Sequence, residues 1–289
     1  MAEFPILRFR WMCLALALLM AATLPAASAA QAAEPQVPVL WDAKERLPKP
    51  DLSALPRLRF LTTTDFAPFN FLDKDGRLSG FHVDLARAIC ARLGVAEKCQ
   101  IQALPWPELD AALQKGEGEA ILAGIAATQD ARTRYAFSRS YLWFPARFVM
   151  PTASAVTEPL FEKLKNKRVG VVAGSAHERM LRDDFNGFQI VAFAKPEEVY
   201  AALKAGTVDA AFGDGMRLAF WLAGTDAAGC CRFAGGPYLA PEYLGTGLAI
   251  ATKADNPALA AAFDYALQEI SQDGTFAELY LRYFPVSFF

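Results

Sequence analysis

The chain has 289 residues, 54% hydrophobic and 21% charged, with a formal net charge of −2. That length supports a large core, and a near-neutral balance with no basic run excludes the usual electrostatic footprint of a nucleic-acid binder. Two histidines, His82 and His177, and no Cys-x-x-Cys spacing argue against a zinc centre. Each histidine reads as a surface or packing residue, and neither a metal nor a cofactor is expected.

At the N-terminus Arg8 and Arg10 precede an uncharged run from Trp11 to Leu24, which ends in Pro25 and Ala26-Ala27-Ser28-Ala29-Ala30. This order of basic, apolar and small-residue regions predicts a secretory signal peptide over 1–29, cleaved near Ala29. The apolar run is short of the roughly 20 residues that span a bilayer. Cys13 lies inside the signal and is not read as a lipid site. Residues 30–56 carry Pro35, Pro38, Pro48, Pro50 and Pro56. They read as an extended linker or strap, with Trp41 as a docking point.

From Leu58 short apolar runs alternate with amphipathic stretches. Strands are expected at 58–62, 99–103 and 120–123. Leu85, Ile89 and Leu93 fall on one face of a helix over 83–93, and a second helix follows at 109–115. Further on, strands at 168–173, 188–193 and 208–212 alternate with helices at 176–182, 197–204 and 215–222. A strand at 246–252 and helices at 257–270 and 275–283 close the chain. Such alternation with short connections means α/β layers with largely parallel sheets. Cys90 and Cys99 bracket a helix end and a strand start. A disulfide between them closes a short loop, worth about 2–3 kcal/mol. Cys230 and Cys231 are adjacent; pairing them strains the backbone, and their state stays open between free thiols and links to other chains.

Several motifs share an order and spacing. They are Asp65-Phe66-Ala67-Pro68-Phe69-Asn70-Phe71, then Gly80-Phe81-His82-Val83-Asp84-Leu85, then Trp106-x-x-Leu109 and Leu113-x-x-Gly116. Ala123-Gly124-Ile125-Ala126-Ala127-Thr128 and Phe137-Ser138 follow. Val169 to Ser175, Gly206 to Ala211, Asp273-Gly274-Thr275-Phe276 and Tyr283-Phe284 complete the series. From about Leu58 to Phe284 the chain resembles the bacterial extracellular solute-binding proteins, family 3, which deliver polar amino acids to ABC importers.

The resemblance implies a two-lobed α/β periplasmic-binding-protein fold of type II with a ligand cleft between the lobes. Lobe one is expected at 57–148 and 246–289 and lobe two at 149–245. Two hinge strands are expected near 147–151 and 247–252. The implied function is capture of a small polar metabolite, amino-acid-like, in the periplasm by a monomer that serves an inner-membrane ABC permease.

The motif residues have their own chemistry. Phe66, in a proline-containing turn, and Trp106, held between Pro105 and Pro107, are the aromatic walls expected to sandwich a ligand. Gly124 and Ala126 lie where a strand enters a short helix, and free backbone N–H groups there suit a carboxylate. The family places an arginine three positions after the threonine. Here Ala131 stands there, and Arg132 is the neighbouring candidate. In lobe two, Ser175 caps a helix and offers a hydroxyl. Asp214 lies just past a strand, where α/β folds place ligand groups, and the resemblance implies that it partners a ligand ammonium. Thr63 stands where cation-preferring relatives carry an acid, which points away from lysine- or arginine-like ligands. Two other functions remain. One is an enzyme, since cyclic-carboxylate dehydratases share the fold and Asp65, Asp130 or Glu178 offers an acid. The other is an accessory protein that docks a second exported protein through the strap.

Overall fold

The structure, a computed structural model, describes residues 37, 41–42, 44–154, 159–284 and 287–288. The signal expected over 1–29 lies outside them, as does most of the strap before Trp41. Among the described residues, no helix is long and apolar enough to cross a membrane.

Lobe one is built on a five-stranded sheet. Strands β1 (Leu58–Thr62), β5 (Cys99–Ala103), β6 (Ala120–Ile121), β7 (Tyr135–Phe137) and β13 (Ala251–Lys253) lie in the order β5-β1-β6-β13-β7. β1 runs parallel to β5 and β6, whereas β13 runs antiparallel to both neighbours. Its antiparallel sense follows from its origin, because it enters from lobe two. Helices α1 (Phe81–Leu93) and α2 (Leu109–Lys115) flank this sheet, and α8 (Pro257–Gln272) and α9 (Thr275–Tyr283) return to it. α1 buries Leu85, Ile89 and Leu93 and stops at Gly94, whose φ of 73° is the left-handed cap that glycine adopts without strain. Phe60, Phe69, Phe81, Phe263, Leu267 and Tyr280 make one apolar core with that face. A small sheet of β2 (Asp65–Phe66), β3 (Asn70–Leu72) and β4 (Leu78–Ser79) sits beside it.

Lobe two has a second five-stranded sheet in the order β10-β9-β11-β8-β12. Its strands are β8 (Ala146–Pro151), β9 (Arg168–Val172), β10 (Gln189–Phe193), β11 (Ala210–Asp214) and β12 (Cys231–Tyr238). β9 is parallel to β10 and β11, but β8 is antiparallel to β11 and β12, so the sheets are mixed rather than largely parallel. Helices α3 (Leu160–Leu164), α4 (Ala176–Asp184), α5 (Pro196–Lys204), α6 (Gly215–Ala223) and α7 (Pro241–Leu244) pack around it. Phe148, Val169, Val171, Leu181 and Phe212 form its core. The two crossing segments meet where Leu142 and Ala126 bridge to Leu248. That is just before β8, so residues 147–151 belong to the lobe-two sheet itself.

The strap is docked. Trp41 is buried in the lobe-one core, with the Arg139 guanidinium 5.1 Å from its ring centroid. Glu45 takes both Arg139 nitrogens at 2.6 Å, and the Leu47 N–H donates to Gln268. Cys90 and Cys99 are joined as a disulfide. Cys230 and Cys231 are also joined to each other, against the expectation from adjacency. The chain enters that pair from a turn in which Ala228 and Gly229 both hold positive φ.

Candidate functional site

A cavity of about 490 Å³ lies between the lobes. Of the described residues lining it, Phe66 comes from lobe one and Phe144 from the first crossing segment. The rest belong to lobe two, with Ser175, His177, Tyr200, Asp214 and Arg217 as its polar members.

Phe66 reaches the cavity because the turn Asp65–Asn70 folds back on itself: the Phe69 N–H donates to the Phe66 carbonyl, and the two rings stack at 4.6 Å. The turn rests on a buried polar chain. Asn70 Nδ2 donates to Thr63 Oγ1 at 2.6 Å, His82 Nδ1 lies 2.6 Å from Asn70 Oδ1, and the Tyr141 hydroxyl lies 2.8 Å from His82 Nε2. Because the amide oxygen only accepts, Nδ1 carries the proton, and Nε2 accepts from Tyr141. Burial alone pushes the His82 pKa down to about 3, so the imidazole is neutral. Thr63 thus braces the turn from beneath and does not line the cavity.

Phe66 also covers Gly124. A Cβ there would stand 2.7 Å from the Phe66 ring, and φ is +89°, so only glycine fits beneath the aromatic wall. Ala126 bridges to Leu248. Ala131 is buried, and Arg132 sits in the short turn Ala131–Thr133 with its guanidinium 5.6 Å from the Phe137 ring centroid. Arg132 is not among the residues that line the cavity. Trp106 is also outside that lining and is 51% exposed.

In lobe two, β9 ends at Val172 and the Ser175 hydroxyl caps α4: it accepts from the Glu178 N–H and donates to the Val172 carbonyl. β11 ends at Asp214, whose Oδ1 accepts the Arg217 N–H at 2.7 Å and caps α6. His177 stands on α4 against Phe212, and its Nε2 is buried with no partner among the described residues. Burial lowers its pKa, with Arg217 adding to the effect and Asp214 opposing it. Burial likewise pushes the Tyr200 hydroxyl up to about 12, with Arg217 opposing, and its ring stacks on Trp221 at 4.5 Å.

The sequence reading takes His177 as a surface or packing residue and does not name Tyr200 or Arg217. Arg217 carried a usable signal: it lies three positions after Asp214, one turn along the same helix face. His177 follows the capping Ser175 by two residues and looks like an ordinary helix residue until the fold brings α4 against β11. Of the candidate acids, Glu178 accepts from the Gly174 N–H and from Arg182, which hold its carboxyl below the usual range.

Two mixed α/β sheets, joined by paired crossing segments and separated by a cavity, define a two-lobed binding protein. The family model for bacterial extracellular solute-binding proteins, family 3, matches residues 58–286, and the chain belongs to that family. It is 32% identical over 235 residues to the lysine/arginine/ornithine-binding periplasmic protein of Escherichia coli K12, covering 80% of this chain and 89% of that one. Among solved structures it is similar to the L-cystine solute receptor of Neisseria gonorrhoeae in the unliganded open conformation. That match has a TM-score of 0.67 and 21% identity, over 80% of this chain and 94% of that one. An ancestral cyclohexadienyl dehydratase shares the fold at 20% identity and a TM-score of 0.66, over 80% of this chain and 94% of that one.

Proposed function

We propose that the chain is the periplasmic receptor of an ABC importer, and that it captures a small amino-acid-like metabolite by hinge closure without turning it over. The cavity carries this reading. At about 490 Å³ it lies within the 300–1,000 Å³ typical of small-molecule sites, and it has an aromatic wall from lobe one facing a carboxylate from lobe two. A ligand that touches both draws the lobes together.

In this reading Phe66 holds the ligand body and Asp214 takes its ammonium, while Trp106, exposed outside the present lining, reaches the ligand only as the lobes close. Ser175, Gly124 and Ala126 border the site, and the protein works as a monomer exported by the signal over 1–29. The periplasmic relatives support the location. The internal engagement of Glu178 supports binding over catalysis, since a general acid needs a carboxyl free to protonate the substrate. The test is native mass spectrometry of the protein purified from its periplasm. A co-purified amino acid or close analogue is expected; a mass signature of a substrate and its dehydrated product would favour the enzyme instead.

A further inference from the structure

The cavity's charges are all on one wall. Asp214 and Arg217 are its only charged members among the described lining residues; Asp214 is the N-cap of α6 and Arg217 stands on its first turn. Opposite charges three apart on a helix usually pair. Here they do not: Asp214 turns Oδ1 to the Arg217 backbone N–H, and the Arg217 guanidinium has no hydrogen-bond or ion-pair partner among the described residues. His177 also lines this wall, and its burial disfavours the charged form.

Across the cavity, none of the described lining residues from lobe one is a cation. Ala131 is small and buried, Arg132 packs toward Phe137 outside the lining, and the Phe66 ring lies over Gly124. An anionic group placed in this cavity therefore has one full positive charge to meet. A guanidinium matches a carboxylate bidentately, so Arg217 supplies direction as well as charge. Besides Ser175, His177 and Tyr200, the remaining wall is apolar, with Phe66, Phe144, Phe212 and Met216 available to a side chain.

We infer that Arg217 holds the ligand carboxylate, so that one turn of α6 reads both poles of a zwitterionic amino acid whose apolar or aromatic side chain lies against Phe66, Phe144 and Met216. This rests on the amino-acid reading above and deepens it. Specificity then comes from lobe two, and lobe one contributes shape.

The experiment is calorimetry with L-leucine, L-methionine, L-phenylalanine and L-arginine on the wild type, Arg217→Gln, Arg217→Lys and Arg132→Gln. At least one apolar amino acid should bind the wild type more tightly than L-arginine does. Arg217→Gln should weaken that amino acid by about 30-fold or more, while Arg217→Lys, which keeps the charge and loses the fork, should recover part of the loss. Wild-type affinity retained in Arg217→Gln, an equal loss in Arg132→Gln, or a preference for L-arginine overturns the inference alone. A wild type that binds none of the four overturns the amino-acid reading together with it. Ligand-free thermal unfolding of each variant separates lost binding from lost fold.

Discussion

Asp214 has a capping role in the fold and a proposed ligand role on the same carboxylate, and the two can be separated. One oxygen caps α6 through the Arg217 N–H; the other is available to a ligand cation. Asparagine caps a helix about as well as aspartate, so Asp214→Asn should leave the fold intact. It removes the charge, and losing a charge-assisted contact costs about 2–5 kcal/mol, or about 30- to several-thousand-fold in affinity. Titration of the co-purified ligand against both proteins reads this directly. Equal affinities would leave Asp214 as a cap only.

His82, read from the sequence as a surface or packing residue, is a packed one with a specific polar role. The sequence does not show its partners; in the structure it links Asn70 to Tyr141 beneath the cleft turn. Its pKa of about 3 lies below the ordinary value near 6.5, so between those limits the unfolded chain binds the proton and the folded one does not. The stability that His82 supports is complete above pH 6.5 and is lost as pH falls. From pH 6.5 to 4.5 the loss is about 2–3 kcal/mol. Asp264, raised to about 6 chiefly by burial, works in the opposite sense over part of that window, but it is less deeply buried. Urea titrations at the two pH values should therefore show His82→Gln losing less stability on acidification than the wild type. Parallel losses would mean that His82 does not govern the acid response.

At the scale of elements, legibility followed periodicity. α1 and α9 matched their expected extents within two residues because their apolar positions recur every three or four residues. β12 was missed because Gly235, Gly236 and Pro237 sit inside it and look like a turn. The structure keeps it as an edge strand with a register shift between Ala234 and Tyr238, the kind of place where proline is tolerated in a sheet. The short strands β2 to β4 were too brief to show a period. In the site, Phe66 and Asp214 were legible from motif position. The lining by Phe144, Tyr200 and Met216 depends on how the lobes face each other, which local pattern does not encode. The strap is the element whose role the packing defines. With Trp41 in the core, Trp41→Ala should cost about 3 kcal/mol and lower the melting temperature. An unchanged melting temperature would return the strap to the status of a free interface.

For the whole molecule, the chain's return to lobe one sets its stability. Helix α8 buries Leu259, Phe263, Leu267 and Ile270, and α9 buries Phe276 and Tyr280. Phe263 packs on Phe60 of β1 at 5.4 Å, and Phe276 meets Phe81 of α1 edge-on at 5.9 Å. These helices therefore complete the core of the residues that precede lobe two. Each large side chain contributes about 1.5–3 kcal/mol, so the loss from six is as large as the roughly 5–15 kcal/mol of net stability of a typical domain. Lobe two keeps a core of its own in Phe148, Val169, Val171 and Phe212. Deleting Pro257–Phe289 should thus unfold lobe one while leaving much of lobe two protected. Hydrogen exchange reads the two separately: amides of β1 and β5 should exchange freely, and those of β9 and β11 should stay slow. Protection of β1 in the truncated chain would mean that the first lobe closes its core without the C-terminal helices.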